Sequence, residues 1–437
     1  MFPADDSRCG WYETLPEPGP ARRIRGRERA DWVVLGAGIT GLSAARRLAE
    51  HLPEAHILLV EAQRVGSGAS GRNSGFLTDL GHYEKGLRPE AHRRRIQLAR
   101  AGIETVRELV RAHDIKCDWS ESGRLHGAAG DVGMRALEGF LRQLEALGEP
   151  YEELDARKLE AITGTAYYAA GARLPGSVLV QPAALVRGLA RALPANVALF
   201  EESPALFEES PVGTTQAGNT LRLQCEEGSI EAPKLLLTTN AFTPALGYLR
   251  QRMFPLFVFA SLTLVLTDQE QAILGGDREW GLVPEVAVGT TVRRTPDQRI
   301  LIRNSACYAS GGRFPADRID KVRAAHRDSL RVRFPDLAHI DLEYTWGGVV
   351  AISLNGSPFF GRLAPNIFGA GIFNGVGMAM GTALGMLLAD LAVGAESDLL
   401  RDARSLPRPD WLPPPALLGL AVRPTLWWMH RQARAEI

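Results

Sequence analysis

Asp31-Trp-Val-Val-Leu-Gly36-Ala37-Gly38-Ile39-Thr40-Gly41, followed by the run His56-Ile-Leu-Leu-Val-Glu61, decides the fold of this chain. The apolar residues after Asp31 read as a buried strand. Leu42 to Glu50 carries apolar positions at Leu42, Ala45, Leu48 and Ala49, the spacing of a helix packed on one face. Strand, glycine turn, helix and a second strand ending in an acid form a βαβ unit that binds a dinucleotide. Gly36 permits the tight turn, Gly38 lets the backbone approach a pyrophosphate lying on the helix N-terminus, and Gly41 lets helix and strand pack closely. Ala37, Ile39 and Thr40 complete that turn, and Glu61 accepts from a ribose hydroxyl.

The loop after Glu61 narrows the choice of dinucleotide. Ala62-Gln-Arg64-Val-Gly66-Ser-Gly68-Ala69-Ser70-Gly71-Arg72-Asn73-Ser74-Gly75 is rich in small residues and needs something to hold it still. Its amides and cation suit a second long contact with pyrophosphate and ring. The Gly68–Gly75 run resembles the FAD-dependent D-amino-acid oxidase, glycine oxidase and sarcosine oxidase superfamily, and within it the γ-glutamylputrescine oxidoreductase-like amine oxidoreductases. Tyr344-Thr-Trp346-Gly347-Gly348 and Phe368-Gly-Ala-Gly371-Ile-Phe-Asn374-Gly375-Val376-Gly377-Met378 carry the same resemblance in the C-terminal third.

That resemblance implies an α/β chain with an α+β second domain: a Rossmann-like FAD-binding domain built from discontinuous segments, and an antiparallel-sheet substrate domain. Residues 1–88, 176–250 and 341–405 are expected to form the FAD-binding domain, 89–175 and 251–340 the substrate domain, and 406–437 a proline linker with a final helix. The resemblance further places Trp346-Gly347-Gly348 as a turn bordering the flavin, and Asn374 to Met378 at a helix N-terminus facing its pyrimidine end. An anion forming there on reduction is stabilised by that helix end. Ala205 is expected against the adenine, and Thr238 to Ala241, with Asn240, in the turn after the last cofactor strand. One departure is Val376, where many relatives carry histidine. Neither Cys nor His lies in the Gly68–Gly75 loop or in Asn374–Met378, so FAD is expected to be held without a covalent bond.

The chain's 437 residues, 45% hydrophobic and 23% charged, suffice for two or three domains. Its 50 basic and 50 acidic residues cancel, which argues against a nucleic-acid partner. Cys9, Cys117, Cys225 and Cys307 are scattered, with no metal spacing, and fit a reducing compartment. Met1 to Arg8 lacks the apolar core of a secretory signal, so the cytoplasm is the expected location. Ile367 to Val393 is almost uncharged and long enough to suggest a membrane span, but its recurring glycines suit a helix buried against a sheet.

For chemistry, FAD accepts a hydride from a carbon bearing nitrogen or oxygen, and the protein supplies placement. Arg72, Arg303 and Arg362 are candidate cations for a substrate carboxylate, with Trp346, Tyr344 and Tyr308 as candidate walls. Arg72, Arg303 and Trp346 are the residues expected nearest the chemistry, with no metal. Dehydrogenation of an amine or amino acid is the first reading. A 2-hydroxy-acid or polyol dehydrogenase would need a base, and no histidine falls in the flavin motifs. A flavin-carrying maturation factor acting on a partner protein is the third reading. The electron acceptor is dioxygen or a quinone. The absence of lysine from Arg299 to Asn304 leans, through the resemblance to sarcosine oxidase, toward a dehydrogenase. The tail, Ala416 to Arg434, is expected to pack back on the enzyme through Leu417, Leu418, Leu420, Leu426 and Trp427, in preference to lying on a membrane.

Overall fold

A computed structural model describes residues 8–81, 88–207, 220–308 and 314–437. The opening segment read for a secretory signal lies, apart from Arg8, outside the described residues. A six-stranded sheet is ordered Phe359–Ala364, Ile367–Gly371, Lys234–Leu237, Trp32–Leu35, Ile57–Val60 and Val197–Phe200. All neighbours run parallel except the Phe359–Ala364 edge strand, which is antiparallel. The central strands are buried along their whole length, as a sheet covered on both faces requires. On one face lie the Ile39–His51, Pro89–Ala112 and Gly377–Val393 helices. On the other lies a small four-stranded sheet that includes Gly26–Arg29 and Leu221–Gln224.

The uncharged stretch from Ile367 to Val393 is a strand and a helix inside this core. A Cβ on Gly385 would lie 2.3 Å from the Thr40 carbonyl oxygen, and one on Gly102 would lie 2.0 Å from that of Ala379. Glycine lets three helices meet at backbone contact. The one acid of the helix, Asp390, is met by Arg47 at 2.7 Å and His51 at 2.6 Å. Among the described residues no single helix is long and apolar enough to cross a membrane.

The second sheet has eight strands, ordered Leu342–Ile352, Phe254–Thr263, Ile300–Tyr308, Thr291–Arg294, Trp280–Pro284, Arg124–Ala128, Ala170–Leu174 and Glu152–Asp155. It is antiparallel except where Trp280–Pro284 pairs parallel with Arg124–Ala128. Two segment boundaries differ from expectation. The Pro89–Ala112 helix buries Leu98, Ile103 and Val106 in the cofactor-side core, because its apolar face meets the Gly377–Val393 helix. The Leu342–Ile352 strand pairs with Phe254–Thr263 and so belongs to the eight-stranded sheet; the chain re-enters the six-stranded sheet at Phe359. Trp346-Gly347-Gly348 is therefore strand, not turn.

Candidate active site

A cavity of about 680 Å³ runs between the two sheets. At one end lies the first βαβ turn. Gly36 has φ +102°, open to glycine with no steric cost. The Ile39–His51 helix has Gly38 at its N-cap, which has no side chain of its own to cap it. Ser70 Oγ accepts from the Ile39 amide at 3.0 Å, so the small-residue loop is tied to that helix end. A Cβ on Gly41 would stand 1.8 Å from the Gly36 carbonyl oxygen; its absence is what lets the helix begin there. Glu61 accepts from the Ala37 amide at 2.8 Å and the Gln63 amide at 3.1 Å. Burial raises its pKa above the ordinary carboxylate value, against the lowering by those amides.

At the middle of the cavity the Gly377–Val393 helix presents a second N-terminus, with Val376 at its N-cap and again no capping side chain. Asn374 and Asn240 hold the approach to it. Asn374, at φ +52°, donates to the carbonyls of Gly356 and Ile372, and Asn240 accepts from the Ile372 amide at 2.8 Å. Gly68 and Gly375 meet no protein atom within 4 Å of an added Cβ, so both border open space in this cradle. Two helix N-termini, glycines facing the space between them and a half-buried acid beside the first turn fit the pyrophosphate, ring and ribose of FAD. Gly36, Gly38, Ile39, Thr40, Glu61, Ala62, Gly68, Ala69, Ser70, Arg72, Asn73, Ser74, Ala205, Thr238 and Asn240 line the cavity. So do Gly348, Asn374, Gly375, Val376, Gly377 and Met378.

Other expected residues sit behind this lining. Ala37 contributes its amide to Glu61, Gly75 is pressed against Arg293 and Val180, and Gly347 faces Phe314. Arg64 points outward, to the Gly19 carbonyl at 2.6 Å and Glu201 at 3.4 Å. Trp346 does not line the cavity. It is buried against Cys9, Trp11 and Leu262, and its indole donates to the Arg72 carbonyl at 3.0 Å. Gly348, two residues later on the strand, lines the cavity, whereas Trp346 supports the Arg72 loop from behind. Arg362 stacks on Phe368, Tyr344 faces Arg299, and Tyr308 packs under the final helix, so none of them forms a cavity wall.

The candidate cations differ in what holds them. Arg72 donates to the Ser67 carbonyl at 2.8 Å and the Gly347 carbonyl at 3.1 Å, which ties the loop to the eight-stranded sheet. Arg303 lines the cavity from the centre of the Ile300–Tyr308 strand, in register with Ala260 and Thr291, which line it too. Its guanidinium makes no hydrogen bond or ion pair among the described residues, though its backbone is paired on both sides. Burial draws its guanidinium pKa below the ordinary value. Arg124, not foreseen from sequence, also lines the cavity; its guanidinium donates to the Leu80 carbonyl at 3.1 Å. Also unforeseen is a wall formed by the final helix, Pro415–Gln432, through Leu418, Val422, Leu426 and Met429. Their spacing of four, four and three residues was the signal available in the sequence. Among the described lining residues the charged ones are Glu61, Arg72, Arg124 and Arg303, with no His, Lys or Cys.

The family described as "DAO: FAD dependent oxidoreductase" matches residues 31–391. A probable oxidoreductase, OrdL, of Rhizobium meliloti is 29% identical over 411 residues, 90% of this chain and 91% of that one. The γ-glutamylputrescine oxidoreductase of Escherichia coli is 28% identical over 374 residues, covering 83% and 84%. Glycine oxidase from Geobacillus kaustophilus shares the fold at TM-score 0.71 and 18% identity, over 85% of this chain and 96% of its own. With two helix N-termini, the glycine cradle and Glu61 in place, and a family match over residues 31–391, the chain belongs to the DAO family of FAD-dependent oxidoreductases.

Proposed function

We propose that this enzyme dehydrogenates an amine that also carries a carboxylate, an amino acid or a close relative, to an imine that hydrolyses. The observation that carries the reading is Arg303: a half-buried cation in the wall of the cavity whose guanidinium has no partner among the described residues. A partly desolvated cation without a partner is costly, and a carboxylate offers the hydrogen-bonded partner that offsets the cost. FAD, when bound, supplies the hydride acceptor. The protein's share is to orient the substrate on Arg303, keep water from the apolar wall of Phe254, Leu256 and Val258, and fix the cofactor loop through Arg72.

No described lining residue at the substrate end is a general base, which suits an amine bound neutral, with its own lone pair to drive hydride loss. A 2-hydroxy acid lacks that lone-pair donor strength and would call for a base. Amines and amino acids are also what the names of several relatives and structural neighbours concern. In this reading the acceptor is dioxygen or a quinone. Four buried, free cysteines support the cytoplasm as the location.

The test is anaerobic flavin bleaching with pairs of substrates, each amino acid beside the amine that lacks its carboxylate. Arg303→Met should lower kcat/KM for the carboxylate member by about 30-fold or more and leave the other member little changed. Equal losses for both members would remove Arg303 from substrate recognition. Amines without carboxylate preferred by the unmodified enzyme would turn the reading toward simple amines.

A further inference from the structure

The tail was expected to pack through Leu417, Leu418, Leu420, Leu426 and Trp427, and the structure divides that set. Leu418 and Leu426 turn inward with Val422, against the cavity and Tyr308. Leu417, Leu420, Trp427 and Trp428 are 57%, 73%, 62% and 57% exposed. At 100° per residue, Leu417, Leu420, Pro424, Trp427, Trp428 and Arg431 project opposite the inward stripe, over an arc of about 100°. The Pro415–Gln432 helix is thus apolar on two faces, and only one of them is covered.

This helix is not a loose end. Before it, the Leu412 amide donates to the Gln251 carbonyl at 2.7 Å, and Arg252 to the Pro409 carbonyl at 3.0 Å. After it, Glu436 accepts from the amides of Ala129 and Gly130 at 3.0 and 2.9 Å, while its carbonyl takes the Thr290 amide at 2.7 Å and Arg333 at 3.1 Å. The outward face is therefore held in place. Of eleven large apolar side chains exposed among the described residues, five fall between Trp411 and Trp428. So dense an apolar patch on a fixed surface marks an interaction site.

The charge on this segment identifies the partner. From Trp411 to Ala435 there is no Asp or Glu, whereas Arg423, Arg431 and Arg434 are present, in a chain whose charges cancel as a whole. Arg431 stacks on Trp427, 5.5 Å from its ring centroid. Exposed tryptophans, leucines and arginines with no acid are the composition of a helix lying in the headgroup layer of an anionic bilayer, rings at the acyl boundary and guanidiniums at the phosphates. A second copy of the chain would bring the same uncompensated positive charge to the interface. We propose that the outer face of the Pro415–Gln432 helix docks the enzyme on an anionic membrane surface, while its inner face walls the active-site cavity. This proposal does not depend on the carboxylate reading of Arg303.

The test is flotation of the purified holoenzyme with vesicles of phosphatidylcholine alone and of phosphatidylcholine mixed with phosphatidylglycerol. The protein should float with the mixed vesicles, less so as salt rises. Trp427→Ser with Trp428→Ser should weaken binding about tenfold or more. Arg423→Gln and Arg431→Gln should each weaken it about fivefold. The flavin spectrum and melting temperature report that each variant is intact; if the tryptophan pair is needed for folding, Leu420→Glu carries the same test. Failure to float with either vesicle, or variants that bind unchanged, would overturn the proposal. So would a concentration-dependent dimer dispersed by these substitutions, which would give the face to a second copy.

Discussion

The end of the cavity that fits FAD is made of backbone, and the end proposed for the substrate of side chains. In the first, helix amides, glycines without Cβ and one carboxylate surround the space, contributed mainly by the contiguous segment from Gly36 to Ser74 and the turn before the Gly377–Val393 helix. In the second, Arg303, Thr291, Ala260 and Arg124 come from four different strands, and the far wall comes from a helix at the other end of the chain. Backbone recognition tolerates little change in shape, because any added atom falls in space the ligand needs. Side-chain recognition can change by single substitutions while the sheet beneath stays intact. One scaffold can so keep its cofactor and vary its substrate.

The sharpest way to break this contrast is Gly38→Val. A Cβ there meets only Ser70 Oγ, at 3.0 Å, and otherwise points into the cavity. The folded chain should therefore survive, while the added methyl groups occupy the path of the pyrophosphate. Loss of essentially all yellow colour on purification, with a folded but less stable protein by circular dichroism, is the expected result. Normal FAD content would show that the backbone does not approach the pyrophosphate at this turn.

A smaller effect distinguishes the two ends by pH. His326 lies behind the eight-stranded sheet, its Nδ1 2.8 Å from Ser261 Oγ, which in turn is 2.9 Å from Thr345 Oγ1. Burial, with some help from nearby Arg303, lowers its pKa to about 4 from the ordinary 6.5. The unfolded chain thus takes up a proton on this histidine first as the pH falls. Stability from His326 is full above about pH 6.5, declines between 6.5 and 4, and levels below; the total is on the order of 3 kcal/mol. Urea midpoints at pH 7.5 and 4.5 check it: His326→Gln should be less steeply acid-sensitive than the unmodified enzyme. Identical slopes would mean that the histidine is not held neutral.

The same contrast explains what could be read from the amino acids alone. Glycine spacing reports local geometry, so the turn at Gly36–Gly41, the Gly68–Ser74 loop and the helix start at Gly377 were legible, along with the parallel sheet. Strand register is set by distant partners and leaves no such mark. Arg303 could be named as a cation, but its lack of a partner follows from its pairing with Ala260 and Thr291. The neighbouring Gly347 and Gly348 associate Trp346 with the flavin in the sequence. A displacement of two residues along the strand instead puts it beneath the Arg72 loop. In the final helix, apolar residues recur on both sides, and sequence periodicity alone could not say which side the enzyme covers.

The finest probe lies at Glu61, the one carboxylate among the described residues lining the backbone-built end. Its two oxygens take the Ala37 and Gln63 amides, and a carboxylate can still accept from a ribose hydroxyl with its remaining lone pairs. In Glu61→Gln one acceptor oxygen becomes an NH₂ group, which cannot take an amide proton, so one backbone donor and the charge are lost together. FAD affinity should fall by about 2 kcal/mol, the scale of a hydrogen bond to a charged group. The pH dependence gives the sign. Burial raises the Glu61 pKa, and ligand hydroxyls that favour the carboxylate pull it back down. Affinity in the unmodified enzyme should accordingly hold above the raised pKa and weaken as the pH falls through it, from a point above the ordinary carboxylate range near 4.3. In the variant this dependence should vanish, leaving affinity low and level. Fluorescence titration of apoprotein with FAD across that range measures both effects. A variant whose affinity equals that of the unmodified chain at neutral pH would show that even this end is held by backbone alone.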